Sequence, residues 1–232
     1  MINLLKSHPF FQDKVIVSCT LLENQGYCNE NYLLVADGER YVVRKLLRDD
    51  IDRAFEWQVQ NLAYTQGITA KPLVYDEVNA FMVVAFLEGE HKVKVNINDL
   101  KLLAITLQKL HSIKIDVEPI TIEIKNKSDE VKKALETIEN HSKEYVLCHN
   151  DLNPQNIFFA DEAKLIDWEY TGMNDRYFDL ACVCVEFNLS GEMQSLFLNV
   201  YFKSEDFNLE KLEAYKVVYD VLCEEWFDTS LT

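Results

Sequence analysis

The chain has 232 residues, 48% of them hydrophobic and 12% aromatic, with only 6 Gly and 4 Pro. That supplies enough apolar material for one large domain or two small lobes and excludes a collagen-like, linker-rich or disordered chain. A formal net charge of −16, from 23 basic and 39 acidic residues, argues against nucleic acid as the main partner and suits a small cationic substrate.

The first half reads as strands interrupted by one helix. Val15 to Leu22 and Tyr32 to Val35 are β-type apolar runs, Ala36-Asp37-Gly38-Glu39 is a turn, and Tyr41 to Arg44 returns as the partner strand. A helix is predicted from Ile51 to Gln66, stopped near Gly67, with Phe55, Val59, Leu62 and Ala63 on its apolar stripe. Leu73 to Tyr75 and Phe81 to Phe86 follow as short strands. From Asn98 onward the periodicity is mostly helical. Leu100, Leu103, Leu107 and Leu110 mark one helix, Ser128 caps another running to about Asn140, and Asp179 to Phe187 forms a third. Leu212, Tyr215, Tyr219, Leu222 and Trp226 mark the inner stripe of a fourth. Between them lie three short strands at Val146-Leu147, Ile157 to Phe159 and Lys164 to Ile166. The pattern predicts an α+β, two-lobed architecture: a small antiparallel β-sheet lobe with one helix (residues 1–89) and a larger, mainly helical lobe (residues 90–232). No apolar run is long enough to span a bilayer, so membrane insertion is not expected. The opening segment lacks the basic and apolar regions of an export signal, and the six cysteines form no C-x-x-C pair. Free thiols in a cytoplasmic protein are the expectation. The oligomeric state is not legible.

Chemistry concentrates in His149-Asn150-Asp151-Leu152-Asn153-Pro154-Gln155-Asn156, which has the H-x-D-x-x-x-x-N spacing of a kinase catalytic loop. Eleven residues after Asn156, the strand Lys164-Leu165-Ile166 delivers Asp167. Phosphoryl transfer needs one carboxylate to accept the proton of the attacking hydroxyl, and an amide oxygen and a second carboxylate to hold Mg²⁺ against the phosphates of ATP. Asp151 is the candidate base, and Asn156 and Asp167 are the candidate metal ligands. A single Asp or Asn here would more often be part of a polar turn, but the ordered set between apolar strands points to catalysis.

Cys148 to Ile157, followed by Leu165-Ile166-Asp167-Trp168-Glu169-Tyr170, resembles the choline/ethanolamine kinase family, within a wider group that includes aminoglycoside phosphotransferases. Phe178-Asp179-Leu180-Ala181 matches that family's next helix. The resemblance runs from about Leu21 to Trp226 and implies a two-lobed protein-kinase-like fold. It puts a phosphate-covering loop at Gly26 to Tyr32, with Asn29 and Asn31 as nucleotide-binding candidates. It also puts Arg44 in the place of the kinase strand lysine, with Glu56 as its helix partner; Lys45 is expected on the opposite face. Val83 to Gly89 becomes the strand and hinge meeting adenine, with Phe86 in its apolar slot, and Glu169 assists the metal.

The resemblance further places Tyr170, Glu186 and Trp226 in the pocket for a cationic amino alcohol, whose ammonium group is held by aromatic faces and carboxylates. One departure is that the family's paired tryptophans on the last helices reduce here to Cys223 and Trp226. His111 is read as a structural hydrogen-bonding residue. The implied activity is ATP-dependent phosphorylation of choline or ethanolamine. The alternatives are a kinase for another alcohol, such as an aminoglycoside or thiamine, and a non-catalytic nucleotide- or cation-binding relative.

Overall fold

The computed structural model of the chain describes residues 1–23, 25, 28–125 and 128–230, with side chains described up to residue 226. The described residues fall into two compact units, Met1–Glu88 and Gly89–Thr232.

The first unit opens with a short helix α1 (Ile2–Ser7), followed by strands β1 (Ile16–Leu21), β2 (Asn29–Ala36) and β3 (Glu39–Leu46). Asp37 and Gly38 join β2 to β3 with φ of 51° and 79°. Two successive positive φ values define the hairpin turn whose twist matches that of its strands, and the Asp-Gly pair accepts them at low cost. Helix α2 (Arg53–Thr65) and strands β4 (Pro72–Asp76) and β5 (Phe81–Ala85) complete the unit. The sheet is antiparallel throughout, in the order β1-β2-β3-β5-β4. Its core joins Leu34, Tyr41, Val43, Val74, Phe81 and Val83 to Leu5 and Phe11 from the amino-terminal segment.

Helix α2 starts two residues later than the sequence suggests, because the Asp52 side chain accepts the Phe55 amide and caps it. Its buried face is also different. Arg53, Glu56, Val59, Gln60 and Ala63 point inward, and Phe55 and Leu62 are only half-buried. Val59 and Ala63 of the predicted stripe are fully buried, and Arg53, Glu56 and Gln60 share the inward face with them in place of Phe55 and Leu62.

In the second unit, α3 (Ile97–His111) begins at a capping box formed by Asn96 and Asp99. Helix α4 (Asp129–Asn140) is capped by Ser128. Strand β6 (Tyr145–Cys148) leads into the loop described below, and β7 (Ile157–Phe159) pairs with β8 (Ala163–Leu165). Strand β9 (Gly172–Asp175) pairs with β6 and runs directly into α5 (Arg176–Glu186), after which come α6 (Gly191–Tyr201) and α7 (Leu209–Ser230). The stripe Leu100, Leu103, Leu107 and Leu110 of α3 is fully buried, as are Leu212 and, nearly so, Tyr215 of α7.

At the start of this unit Glu90 pairs with Phe159 through two backbone hydrogen bonds of 3.0 and 2.9 Å. Gly89, with φ of 139°, approaches so closely that a Cβ there would lie 2.8 Å from the Phe159 carbonyl oxygen, which leaves glycine the residue that fits. Among the described residues no helix is long and apolar enough to cross a membrane.

Candidate active site

The loop between β6 and β7 is held at both ends. Asp179, fully buried on α5, accepts the His149 amide on Oδ2 and the Asn150 amide on Oδ1, both at 2.8 Å. The same carboxylate accepts from His111 Nε2 at 3.0 Å, and His111 Nδ1 meets the Tyr201 hydroxyl at 2.6 Å. One buried carboxylate thus satisfies two backbone amides that would otherwise be stranded at a sharp bend. The His149 ring donates from Nε2 to the Ile166 carbonyl at 2.9 Å and packs on Trp168, which is fully buried. His111, Cys148 and Asp179 bring potential ligand atoms within 4.8 Å of one another, but these atoms are engaged in hydrogen bonds within the fold, so the cluster reads as structural.

Asn150 and Asp167 both adopt positive φ, 66° and 65°. Asn and Asp are among the few side chains that tolerate this region, and single positive-φ residues concentrate where a site re-aims its groups. Asn150 is fixed by donating to the Tyr170 carbonyl (3.0 Å) and accepting from Asn174 (2.9 Å). Asp151, next in the chain, accepts from Asn153 on Oδ1 at 2.9 Å and from Asn156 on Oδ2 at 2.7 Å. Asn153 also caps the single 3₁₀ turn Pro154–Asn156.

Asn156 Nδ2 is used twice, on the Asp151 carboxylate and on its carbonyl oxygen (3.0 Å). Its amide oxygen is therefore turned away as an acceptor. The Asn156 carbonyl takes the Ile166 amide at 3.0 Å, which ties the turn to the residue just before Asp167. An amide oxygen and a carboxylate are hard-oxygen donors of the kind Mg²⁺ takes, so Asn156 and Asp167 are chemically able to hold it. Glu169, two residues beyond Asp167, is half-buried.

On the acceptor side of the predicted site, Glu186 ends α5. Its carboxylate accepts the Tyr219 hydroxyl at 2.7 Å. Burial pushes its pKa above the usual carboxylate value; the Tyr219 hydrogen bond opposes that, and the charges of Asp151 and Asp220 add to it. Asp151 and Glu186 are thus close enough to repel each other. Tyr170 and Trp226 are half-buried.

In the first unit, Arg44 and Lys45 alternate across β3. The Lys45 ammonium pairs with Glu30 at 2.9 Å on the partly exposed side. Arg44 is buried and its Nη1 donates to Glu56 Oε1 at 2.5 Å. Arg53, which the sequence did not single out, donates to the other oxygen of Glu56 at 2.6 Å and to Asn29 Oδ1 at 3.1 Å. Burial by itself would raise the Glu56 pKa, but the two guanidinium groups outweigh it and hold the carboxyl below its usual value. Asn29 and Asn31 were expected in a phosphate-covering loop. They lie within β2, where Asn29 is buried against Arg53 and the Asn31 amide donates to Gln25 Oε1 at 2.7 Å. Gly26 and Tyr27 of that expected loop lie outside the described residues. Phe86 follows β5; its amide is used on the Arg40 carbonyl, and the Arg40 guanidinium sits over its ring at 4.2 Å.

Spacing alone could have pointed to Arg53, three residues before Glu56 on one helix face, and to the stripe Asp179, Cys182 and Glu186 on α5.

Comparison with known proteins agrees with this chemistry. The model of the phosphotransferase enzyme family matches residues 21–215. Protein LicA of Haemophilus influenzae is 26% identical over 206 residues, covering 76% of this chain and 60% of LicA. Thiamine kinase of Escherichia coli is 31% identical over 181 residues, covering 70% of this chain and 65% of that enzyme. The chain therefore spans about three-fifths to two-thirds of the length of these relatives. Among solved structures, choline kinase LicA from Streptococcus pneumoniae superposes with a TM-score of 0.79 at 21% identity, covering 98% of this chain and 89% of that one.

Proposed function

The chain belongs to the phosphotransferase enzyme family and has its protein-kinase-like fold, and from that premise we propose that it transfers the terminal phosphoryl group of ATP to the hydroxyl of a small cationic amino alcohol, choline or ethanolamine. The observation that carries the reading is the pair Asp151 and Glu186. The first is oriented by two asparagines of the catalytic loop. The second is a half-buried carboxylate whose charged neighbours, Asp151 and Asp220, are both acidic. Carboxylates whose charges act on one another are stabilised in their ionised forms when a cation joins them. An ammonium at Glu186 with its hydroxyl toward Asp151 is such a ligand.

In this reading Asp151 accepts the hydroxyl proton and aims the oxygen at the phosphorus. Asn156 and Asp167, with Glu169 nearby in sequence, hold Mg²⁺, which when bound neutralises charge on the nucleotide phosphates. Residues 1–89 form the nucleotide-binding lobe, where Arg44 offers a guanidinium to phosphate oxygens and the ring of Phe86 offers an apolar surface to the base. Residues 90–232 form the catalytic and acceptor lobe, where Tyr170 and Trp226 supply aromatic faces to the ammonium. Catalysis is positioning and charge neutralisation.

A second acceptor is favoured by the 31% identity to thiamine kinase. Thiamine is itself a cationic primary alcohol, so the same carboxylate would serve it. The test is ADP release from Mg-ATP with choline, ethanolamine, thiamine and an aminoglycoside, using Asp151→Ala as control. Turnover with choline or ethanolamine, lost by about 10³-fold or more in Asp151→Ala, is the expected result. Turnover with thiamine or the aminoglycoside alone would overturn the amino-alcohol reading, and no turnover with any acceptor would overturn the enzymatic one.

A further inference from the structure

Helix α5 turns one stripe toward the catalytic loop. Asp179 takes the amides of His149 and Asn150. One turn on, the fully buried Cys182 sulfur accepts the Leu152 amide at 3.2 Å. Another turn on, Glu186 comes within electrostatic reach of Asp151. Facing this stripe is Tyr219 of α7, itself 5% exposed, with its ring edge-on to Phe178 at 5.8 Å. Its hydroxyl donates to Glu186 at 2.7 Å.

We propose that Tyr219 is the positioning residue for the acceptor: its hydroxyl locks the Glu186 carboxylate in place on the helix whose Asp179 and Cys182 hold the loop that carries Asp151. The inference rests on the reading of Glu186 as the group that meets the acceptor's cation. The lock has a physical task. Left to itself, the Glu186 carboxylate would swing away from Asp151, and the cation would then be held out of register with the base. Buried and packed on Phe178, Tyr219 is unsuited to be a wall of the pocket, so its polar atom carries the role.

The test uses the full chain and measures KM and kcat for ATP and for whichever cationic alcohol is turned over, in Tyr219→Phe, Glu186→Gln and the double variant. Tyr219→Phe keeps the ring and removes only the lock. It is expected to raise the acceptor KM about tenfold, the size of one hydrogen bond to a charged group, with the ATP KM moving less than about twofold. In the Glu186→Gln background the same change is expected to add less than about twofold, because a residue acting through another has nothing left to act on.

An unchanged acceptor KM in Tyr219→Phe, with Glu186→Gln still impaired, overturns the inference and leaves the acceptor reading standing. Full multiplication of the two effects, or equal loss in both KM values and kcat, assigns Tyr219 to packing and also overturns it. A Glu186→Gln variant with wild-type acceptor KM sinks the acceptor reading and the inference with it. If Tyr219→Phe does not fold, Tyr219→Met, which also lacks the hydroxyl, takes its place, and an unchanged acceptor KM in it is the overturning result.

Discussion

Two glutamates, one in each unit, carry opposite perturbations for reasons that separate a strut from a receptor. Glu56 is 2% exposed and gripped by Arg44 and Arg53, one on each oxygen. Despite its burial its pKa is lowered. Glu186 is less buried, yet its pKa is raised: burial lifts it with no cation to oppose that, only the Tyr219 hydrogen bond does, and the charges of Asp151 and Asp220 add to the rise. A carboxylate already matched by cations inside the fold holds the fold together. One whose charged neighbours are both acidic is, in the proposed reading, matched by a cation that arrives from outside. The two sites also differ in what fixes them: paired guanidinium groups in the first unit, and a single phenol hydroxyl in the second.

The sharpest way to break this comparison is Glu56→Gln. It leaves two buried guanidinium groups facing a neutral amide, and removing one partner of a buried ion pair costs about 3–5 kcal/mol. Urea denaturation at pH 7 should show a loss of at least the lower figure. The acid limb should change as well. Because the folded pKa of Glu56 lies below its ordinary value of 4.5, its contribution is present above pH 4.5 and is lost as pH falls through the folded value. The variant should therefore lose less further stability on acidification below pH 4.5 than the wild type does. A stability at pH 7 equal to wild type would mean that the two arginines are satisfied elsewhere and that Glu56 is no strut.

Glu186→Gln should behave in the opposite way. A carboxyl whose folded pKa is raised binds its proton more tightly in the native state, so stability declines as pH rises from the ordinary value through the folded one. Removing the charge removes that decline. The group is partly solvated, so the gain at pH 7 is screened to within about 1 kcal/mol of zero. A clear loss of stability in this variant would make Glu186 a second strut and remove the argument for an arriving cation.

These two residues also mark how far the sequence could be read. Asp151, Asn156 and Asp167 stand out because their spacing is fixed by one short loop and the strands that bracket it, so chain order and geometry coincide. Arg44 and Lys45 separate because β3 continues past them and alternation assigns opposite faces. Roles that depend on partners distant in the chain were not legible. Spacing can pair Arg53 with Glu56, but its bond to Asn29, 24 residues away, exists only once β2 is in place. Tyr219 sits on an apolar stripe, and nothing along α7 says that its hydroxyl reaches Glu186, 33 residues earlier.

The missed elements have the same origin. Strand β9 reads Gly-Met-Asn-Asp and lacks β-branched residues; it exists because β6 pairs with it and because Asn174 and Asp175 find buried hydrogen bonds. Helix α6 gathers Leu196, Phe197 and Leu198 in succession, with no clean stripe to announce it. The expected loop position of Asn29 and Asn31 failed because β2 extends back to Asn29 once β3 offers a pairing register as far as Leu46.

The mildest test sharpens the strut side by using the neighbour of Arg44. Lys45 pairs with Glu30 at 2.9 Å, as close as many buried pairs, and the Tyr32 hydroxyl donates to the same carboxylate at 2.9 Å. Their side chains are 44% and 38% exposed, however, so water and salt screen the attraction and ordering two flexible chains offsets much of it. Lys45→Ala is expected to leave the urea midpoint close to that of the wild type, and closer still at high salt. Since its ammonium points to the face opposite Arg44, the ATP KM should stay within about twofold of wild type, whereas Arg44→Ala should raise it about tenfold or more, the size of one lost charge-assisted hydrogen bond. A Lys45 variant as impaired toward ATP as the Arg44 variant would show that the nucleotide is met from the other face of the sheet, and Glu56 would then hold an arginine that serves the fold alone.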